Sequence, residues 1–137
     1  MVVDPRTVEY APELGVDLAN MVATPEGLFC ADLVVGDGAL ATPRSMVTVH
    51  YTGTLPDGTV VDSSRERDQP FPFVLGTRAV ILGWDIGVDG MREGGRRLIV
   101  LPPELGYGAE AMEDNVGATV IPSNSVLVFD IELLQVN

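Results

Sequence analysis

From Leu28 onward the chain alternates. Phe29, Ala31, Leu33 and Val35 interleave with Cys30, Asp32 and Val34, and the run stops at Gly36-Asp37-Gly38, a turn signal. Val47, Val49 and Tyr51 interleave with Thr48, His50 and Thr52 in the period of two that marks a half-buried strand. The turn Pro56-Asp57-Gly58 follows, Val60-Val61 opens another short strand, and Ser63 to Gln69 reads as a polar loop. Phe71 to Leu75 predicts an extended segment, and Pro70 and Pro72 suit it to a sheet edge rather than a centre. Between Ala79 and Met91 the period changes: Ile81, Trp84 and Val88 are spaced for a short amphipathic helix, whose length the internal glycines blur. Leu98 to Leu101 reads as a buried strand stopped by Pro102-Pro103, and Leu127, Phe129, Ile131 and Leu133 alternate in a closing strand.

Together these elements predict an α+β domain, an antiparallel sheet with one short helix over one face. Residues 1–24 differ in texture, with Pro5, Pro12 and several acids. Leu14, Leu18 and Met21 there fall on one face of a helix-like stretch. For so short a terminus the expectation is a tether, with docking on the domain and dimerisation as alternatives. The division is thus an N-terminal extension, 1–24, and one domain, 25–137.

Composition narrows the function classes. A chain of 137 residues, 46% hydrophobic and 20% charged, suits one globular domain. Its net charge of −12, with every one of its 8 basic residues an arginine, argues against nucleic acid and anionic lipid as partners. Cys30, the single cysteine, permits no intrachain disulfide, and its apolar neighbours suggest a packing thiol. One His and one Cys are too few for an ordinary structural zinc site, so no metal is expected. No apolar run is long enough to span a bilayer, and the first residues lack a secretory signal. The chain as it stands is expected to be soluble and cytoplasmic, or exported if a signal precedes Met1.

The candidate chemistry lies in six fragments: Val49-His-Tyr-Thr-Gly53, Asp62-Ser-Ser64, Pro70-Phe-Pro-Phe73, Val80-Ile-Leu-Gly-Trp84, Glu104-Leu-Gly-Tyr-Gly108 and Val128-Phe-Asp130. Most offer aromatic or branched apolar side chains, with the Tyr51 and Tyr107 hydroxyls and the Asp62 carboxylate as polar company and no obvious nucleophile. That mixture describes an apolar pocket with a few orienting groups. Taken singly, Trp84, Phe129 and Phe73 would be core residues and Asp62 a turn former. The order of the set points to a shared site instead. Gly87 to Gly95 lacks the order and context of a phosphate loop, and His50, on the face opposite Tyr51, reads as structural.

In order and spacing the fragments resemble the FKBP-type, macrolide-binding peptidyl-prolyl isomerases, over roughly residues 25–137. The resemblance implies a twisted half-open sheet wrapped around one helix, and cofactor-free isomerisation of X-Pro bonds in peptides and unfolded proteins. It also implies binding of rapamycin-like macrolides and a monomer. By position, Trp84 would floor the pocket, Tyr51, Val61, Phe71, Val80, Val120, Ile121 and Phe129 would form its walls, and Tyr107, the Ile81 N–H and Asp62 would supply polar contacts. Departures accompany the match. Val61 stands where an aromatic usually precedes the Asp, Ala79 replaces a Gln or Glu, and Ile121-Pro122-Ser123 replaces Ile-Pro-Pro. The acidic loop Glu110 to Asp114 is expected to overhang the pocket mouth. The rival reading is a proline-binding or chaperone-like module with weak catalysis.

Overall fold

The computed structural model describes residues 4–108, 112–113, 119–122 and 124–137. Nine strands and one helix follow in order: β1 (Val22–Ala23), β2 (Phe29–Val34), β3 (Met46–Thr54), β4 (Val60–Ser63), β5 (Phe71–Val74), α1 (Leu82–Val88), β6 (Arg96–Leu101), β7 (Met112–Glu113), β8 (Thr119–Ile121) and β9 (Leu127–Val136). Seven form one antiparallel sheet in the order β1-β2-β6-β9-β3-β4, with β5 also paired to β3, while β7 and β8 pair as a separate two-stranded sheet. This is the antiparallel sheet with a short helix that the alternation predicts. Pro72 does lie on an edge strand, since β5 pairs with β3 alone.

β3 is shared along one side by two partners. Met46 to Val49 pair with β5 and Thr52 to Thr54 with β4. Between them the backbone of Tyr51 is served by buried Ser64: its hydroxyl oxygen accepts from the Tyr51 N–H at 2.8 Å, and its own N–H donates to the Tyr51 carbonyl at 3.0 Å. Ser64 also meets His50 Nδ1 at 2.8 Å, which gives that imidazole a structural place on the outer side of β3.

The inner face carries the main core, including Val47, Val49, Tyr51, Ile99, Leu101, Phe129, Ile131 and Leu133, with α1 laid across it. Gly83 and Gly87 permit a close approach to β6. A Cβ at Gly83 would lie 3.1 Å from Leu101 Cδ1, and one at Gly87 3.0 Å from Ile99 Cδ1. The helix is shorter than the span from Ala79 to Met91. It begins at Leu82, because the preceding turn is held instead by the Asp85 carboxylate, which accepts from the N–H groups of Gly76 (2.8 Å) and Arg78 (3.0 Å).

The N-terminal extension departs from both of its expectations. Leu14 to Met21 is not one helix: 3-10 turns at Pro12–Leu14 and Leu18–Asn20 are separated by Gly15, whose φ of 69° breaks helical propagation. Nor is the segment a loose tether. Val8, Tyr10, Leu14, Val16, Leu18 and Met21 pack on the outer face of the sheet against Leu98, Val100, Val126 and Val128. The Ala11 N–H donates to the Pro56 carbonyl at 2.8 Å, tying the segment to the β3–β4 turn. Burial raises the Tyr10 hydroxyl to about 12, with the Asp4 charge adding to it, and the hydroxyl donates to the Pro5 carbonyl at 2.7 Å. The unbroken apolar run Leu98 to Leu101 now has its reason, since β6 is covered on both faces.

The acidic loop Glu110 to Asp114 lies largely outside the described residues, except that Met112–Glu113 pair as β7 with β8. Cys30 is partly buried against the core, and burial raises its thiol above the ordinary value.

A test of the outer layer is Val100→Asp. Under the N-terminal segment the new carboxylate would be buried without a partner, so the variant should lose more than about 3 kcal/mol in urea unfolding. A loss under about 0.5 kcal/mol, the range of exposed positions, would show that the segment leaves this face to water.

Candidate functional site

On the inner side of the sheet, beside the start of α1, lies a cavity of about 380 Å³ lined by Tyr51, Val61, Asp62, Phe71, Ala79, Val80, Ile81, Trp84, Tyr107, Ile121 and Phe129. Its volume suits a small organic group rather than a folded partner. β3, β4, β5, β8 and β9 together with Trp84 of the helix supply most of it, so residues far apart in sequence meet only because these elements bring them together. All the site residues expected from the sequence line this cavity except Val120, of which only its place in β8 is described.

Trp84 is the centre. Its ring sits 4.7 Å from that of Tyr51, 5.4 Å from Phe129, 5.7 Å from Phe73 and 5.9 Å from Phe71, mostly edge to face. Such pairs add about 0.5–1.5 kcal/mol each beyond the area they bury. The indole is 5% exposed, and its N–H has no acceptor among the described residues. Phe73, also 5% exposed, backs the site from within the core and does not line it. Phe129 lies against Gly53: a Cβ there would stand 2.5 Å from the ring's Cε1, so only glycine leaves the ring its place.

The polar groups gather on one side. The Tyr51 hydroxyl donates to Asp62 Oδ2 at 2.5 Å, and Arg67 bonds the other Asp62 oxygen while donating to the Tyr51 hydroxyl at 3.0 Å. Burial opposes the Asp62 charge, yet the hydrogen bonds from Tyr51 and Arg67 outweigh it and hold the carboxyl below its ordinary value. Asp62 therefore faces the cavity as an ion and is no local turn former. Burial, and then the nearby Asp62 charge, push the Tyr107 hydroxyl above the ordinary phenol range, so it stays a neutral donor. Ile81 stands at the start of α1, where a helix N–H has no preceding carbonyl in reach, and its N–H finds no acceptor among the described residues. Among the described residues no group of His, Cys, Asp and Glu gathers as a metal site.

An apolar floor, aromatic walls and a one-sided polar rim can bind a small ring and the amides on either side of it. A model of the FKBP-type peptidyl-prolyl cis-trans isomerase family matches residues 38–134. The chain belongs to that family. It is 46% identical over 110 residues to an FK506-binding protein of Neisseria meningitidis serogroup B, covering 80% of this chain and 96% of the relative. It is 44% identical over 111 residues to the peptidyl-prolyl cis-trans isomerase Fkbp12 of Drosophila melanogaster, covering 80% and 98%. Among solved structures, AtFKBP13 superposes with a TM-score of 0.79 at 39% identity, over 85% of this chain and 98% of the other. A peptidyl-prolyl isomerase of Pseudomonas syringae superposes with a TM-score of 0.73 at 33% identity, over 85% and 80%.

Two residues of this FKBP domain's site were not among those expected to line it, although Ala79 was noted as a departure from the family pattern. Ala79 lines the cavity itself, and Arg67 closes the polar rim from outside it. Ala79 stood next to the matched Val80-Ile81 pair, so its place could have been found. Arg67 lies in a polar loop with no periodic signal, and only its spacing from Asp62 could have hinted at a partner.

The dependence of the walls on Gly53 is open to test. Gly53→Ala should force the Phe129 ring aside, cost about 1–3 kcal/mol of stability by overpacking, and change the near-ultraviolet circular dichroism of Trp84. An unchanged Trp84 spectrum would show that the ring has room to spare.

Proposed function

We propose that this chain is a peptidyl-prolyl cis-trans isomerase that takes the proline of an X-Pro bond over Trp84 and catalyses rotation by desolvation, without covalent chemistry. The observation that carries this reading is the cavity itself: an indole floor 5% exposed, walled by aromatic and branched side chains, with polar atoms on one side only.

The barrier to prolyl rotation, about 18–20 kcal/mol, is amide resonance. Resonance places negative charge on oxygen, and water favours that polar, planar form. A dry apolar pocket withdraws this solvation and penalises the planar state relative to the twisted, less dipolar one. Each ~1.4 kcal/mol of such preference is worth tenfold in rate. Tyr107 would donate its hydroxyl to a substrate carbonyl, the Ile81 N–H would hold another, and the ionised Asp62 would keep the Tyr51 wall in place. Nothing in this scheme asks for a metal, a nucleotide or a proton transfer.

Proline-containing peptides and unfolded proteins are the substrates this pocket fits. Macrolides are its expected inhibitors, because relatives are named for binding FK506. The described lining residues all belong to one chain, so the proposed chemistry asks for no second copy.

Proline-limited refolding of a reporter protein should accelerate at substoichiometric amounts of this chain, with or without chelator, and saturating FK506 should abolish the effect while changing Trp84 fluorescence. Binding of FK506 without any acceleration would favour the rival reading, a proline-binding module. Tyr107→Phe and Asp62→Ala should lower kcat/KM with little unfolding, whereas Trp84→Ala, which empties a large buried volume, should also cost about 3–5 kcal/mol of stability. Wild-type kcat/KM in both polar variants would make those side chains structural.

A further inference from the structure

The helix that carries Trp84 is too short to hold its own place. It has 7 residues, whereas isolated helices need roughly 12–15 to persist in water. Past Val88 the chain leaves it in a tight turn. Asp89 is extended (φ −55°, ψ 129°), Gly90 has a φ of 84°, and the Met91 N–H returns to the Val88 carbonyl at 3.0 Å. The Gly87 carbonyl, one of the last four of the helix, needs a donor from elsewhere. Arg97 supplies it. This residue stands on the same face of β6 as Ile99, and Gly87 rests against Ile99 so closely that a Cβ would lie 3.0 Å from its Cδ1. Arg97 Nη1 donates to the Gly87 carbonyl at 2.9 Å and to the Asp89 carbonyl at 3.3 Å. Its Nε donates at 2.7 Å to Oδ1 of Asp32, directly across on β2, and the arginine side chain is only 15% exposed.

We infer that Arg97 is a positioning residue of the isomerase site, an anchor that ties the far end of α1 to β6 and β2 and so keeps Trp84 in place as the pocket floor. This rests on the isomerase reading above. Neither Arg97 nor any group it bonds lines the cavity, so its effect reaches substrate only through the helix. Trp84 precedes Gly87 by three positions, which puts both on the side of α1 that faces the sheet. Release of the Gly87 end would let the helix tilt, and the indole would shift against Tyr51 and Phe129, whose ring centres stand 4.7 and 5.4 Å away. Charge and shape both suit an arginine here. A cation is favoured at a helix C-terminus, and a guanidinium serves the carbonyls with one nitrogen while another holds Asp32. The consequence is one of populations. A floor that holds its binding geometry for only part of the time raises KM by the inverse of that fraction, while substrate already bound turns over at the usual kcat.

The test uses the full chain with Arg97→Met, which keeps the aliphatic stem, Asp32→Ala, which leaves the carbonyl bonds but removes the tether to β2, and Arg96→Met as a control. Arg96, the next residue along, bonds Asp130 on the other face of β6. Every form is measured well below its unfolding temperature. Hydrogen exchange of the α1 amides and the near-ultraviolet circular dichroism of Trp84 report on the floor without substrate, and NMR exchange spectroscopy on a proline tetrapeptide gives kcat and KM. Arg97→Met should speed exchange in α1 about tenfold relative to β3 and β9 and weaken the Trp84 signal. It should raise KM about five- to tenfold with kcat within about twofold of wild type. Saturating tetrapeptide should restore the protection of α1. Asp32→Ala should move exchange and KM the same way by about threefold, and Arg96→Met should keep both within about twofold. Unchanged α1 exchange in Arg97→Met, a loss carried by kcat with KM unmoved, or an equal rise of KM in Arg96→Met would each overturn the anchor. Should Arg97→Met fail to fold, wild-type exchange and KM in Asp32→Ala would do so. Inactivity of every form, wild type included, would instead overturn the isomerase reading, and the α1 exchange rates would still judge the anchor.

Discussion

Trp84 meets four aromatic rings at centre distances of 4.7 to 5.9 Å while riding on a helix of 7 residues, barely two turns. So short a helix cannot cover the inner face of a seven-stranded sheet, and the rings fill what it leaves. Glycines at positions 83 and 87 let α1 lie close on β6, which sets the indole against the sheet residues Tyr51 and Phe129. The remaining gap, beside the first turn of the helix, is the cavity. Fold and site are therefore one packing solution: the aromatic cluster that completes the core also floors and walls the pocket.

The polar side of the pocket depends on how β3 is paired. β5 takes its first half and β4 its last, so the backbone of Tyr51 is left to Ser64, and the loop that follows Ser64 is pinned there. From that point Arg65 and Arg67 reach to either side of the strand. The outer layer completes the arrangement. With residues 8–21 packed over Leu98, Val100, Val126 and Val128, β6 and β9 are buried on both faces near their shared end, which stiffens the strands that carry Phe129 and face the helix.

Much of this was legible in the sequence. Period-two alternation marked β3 and β9, because each has one face on the core; in β2 the alternation misled, since Cys30 packs on the main core, Phe29 on the outer layer, and Leu33 and Val34 are half exposed. The ordered fragments around Tyr51, Asp62, Trp84, Tyr107 and Phe129 also named most of the residues that line the cavity. What was not legible depended on contacts between distant segments. Leu14, Leu18 and Met21 suggested a helix, but Pro12 and Gly15 divide the stretch, and its packing surface lies more than seventy residues away in β6 and β9. One signal was available. Leu98 to Leu101 and Val126 to Phe129 are apolar at both parities, which a strand with one wet face would not be. Arg67 left only its spacing from Asp62 as a hint, since a charged residue in a polar loop looks much the same whether it points to water or to a carboxylate.

The central claim is that rotation is driven by desolvation and shape, with no proton moved in the rate-limiting step. The solvent isotope effect on kcat/KM for a short proline peptide tests it most directly. A pocket that only withdraws water from the amide and twists it predicts a ratio of H2O to D2O rates close to one, whereas general acid–base transfer slows in D2O. A ratio of about 2 or more, with substrate binding unchanged, would place a proton in flight in the transition state and contradict the account.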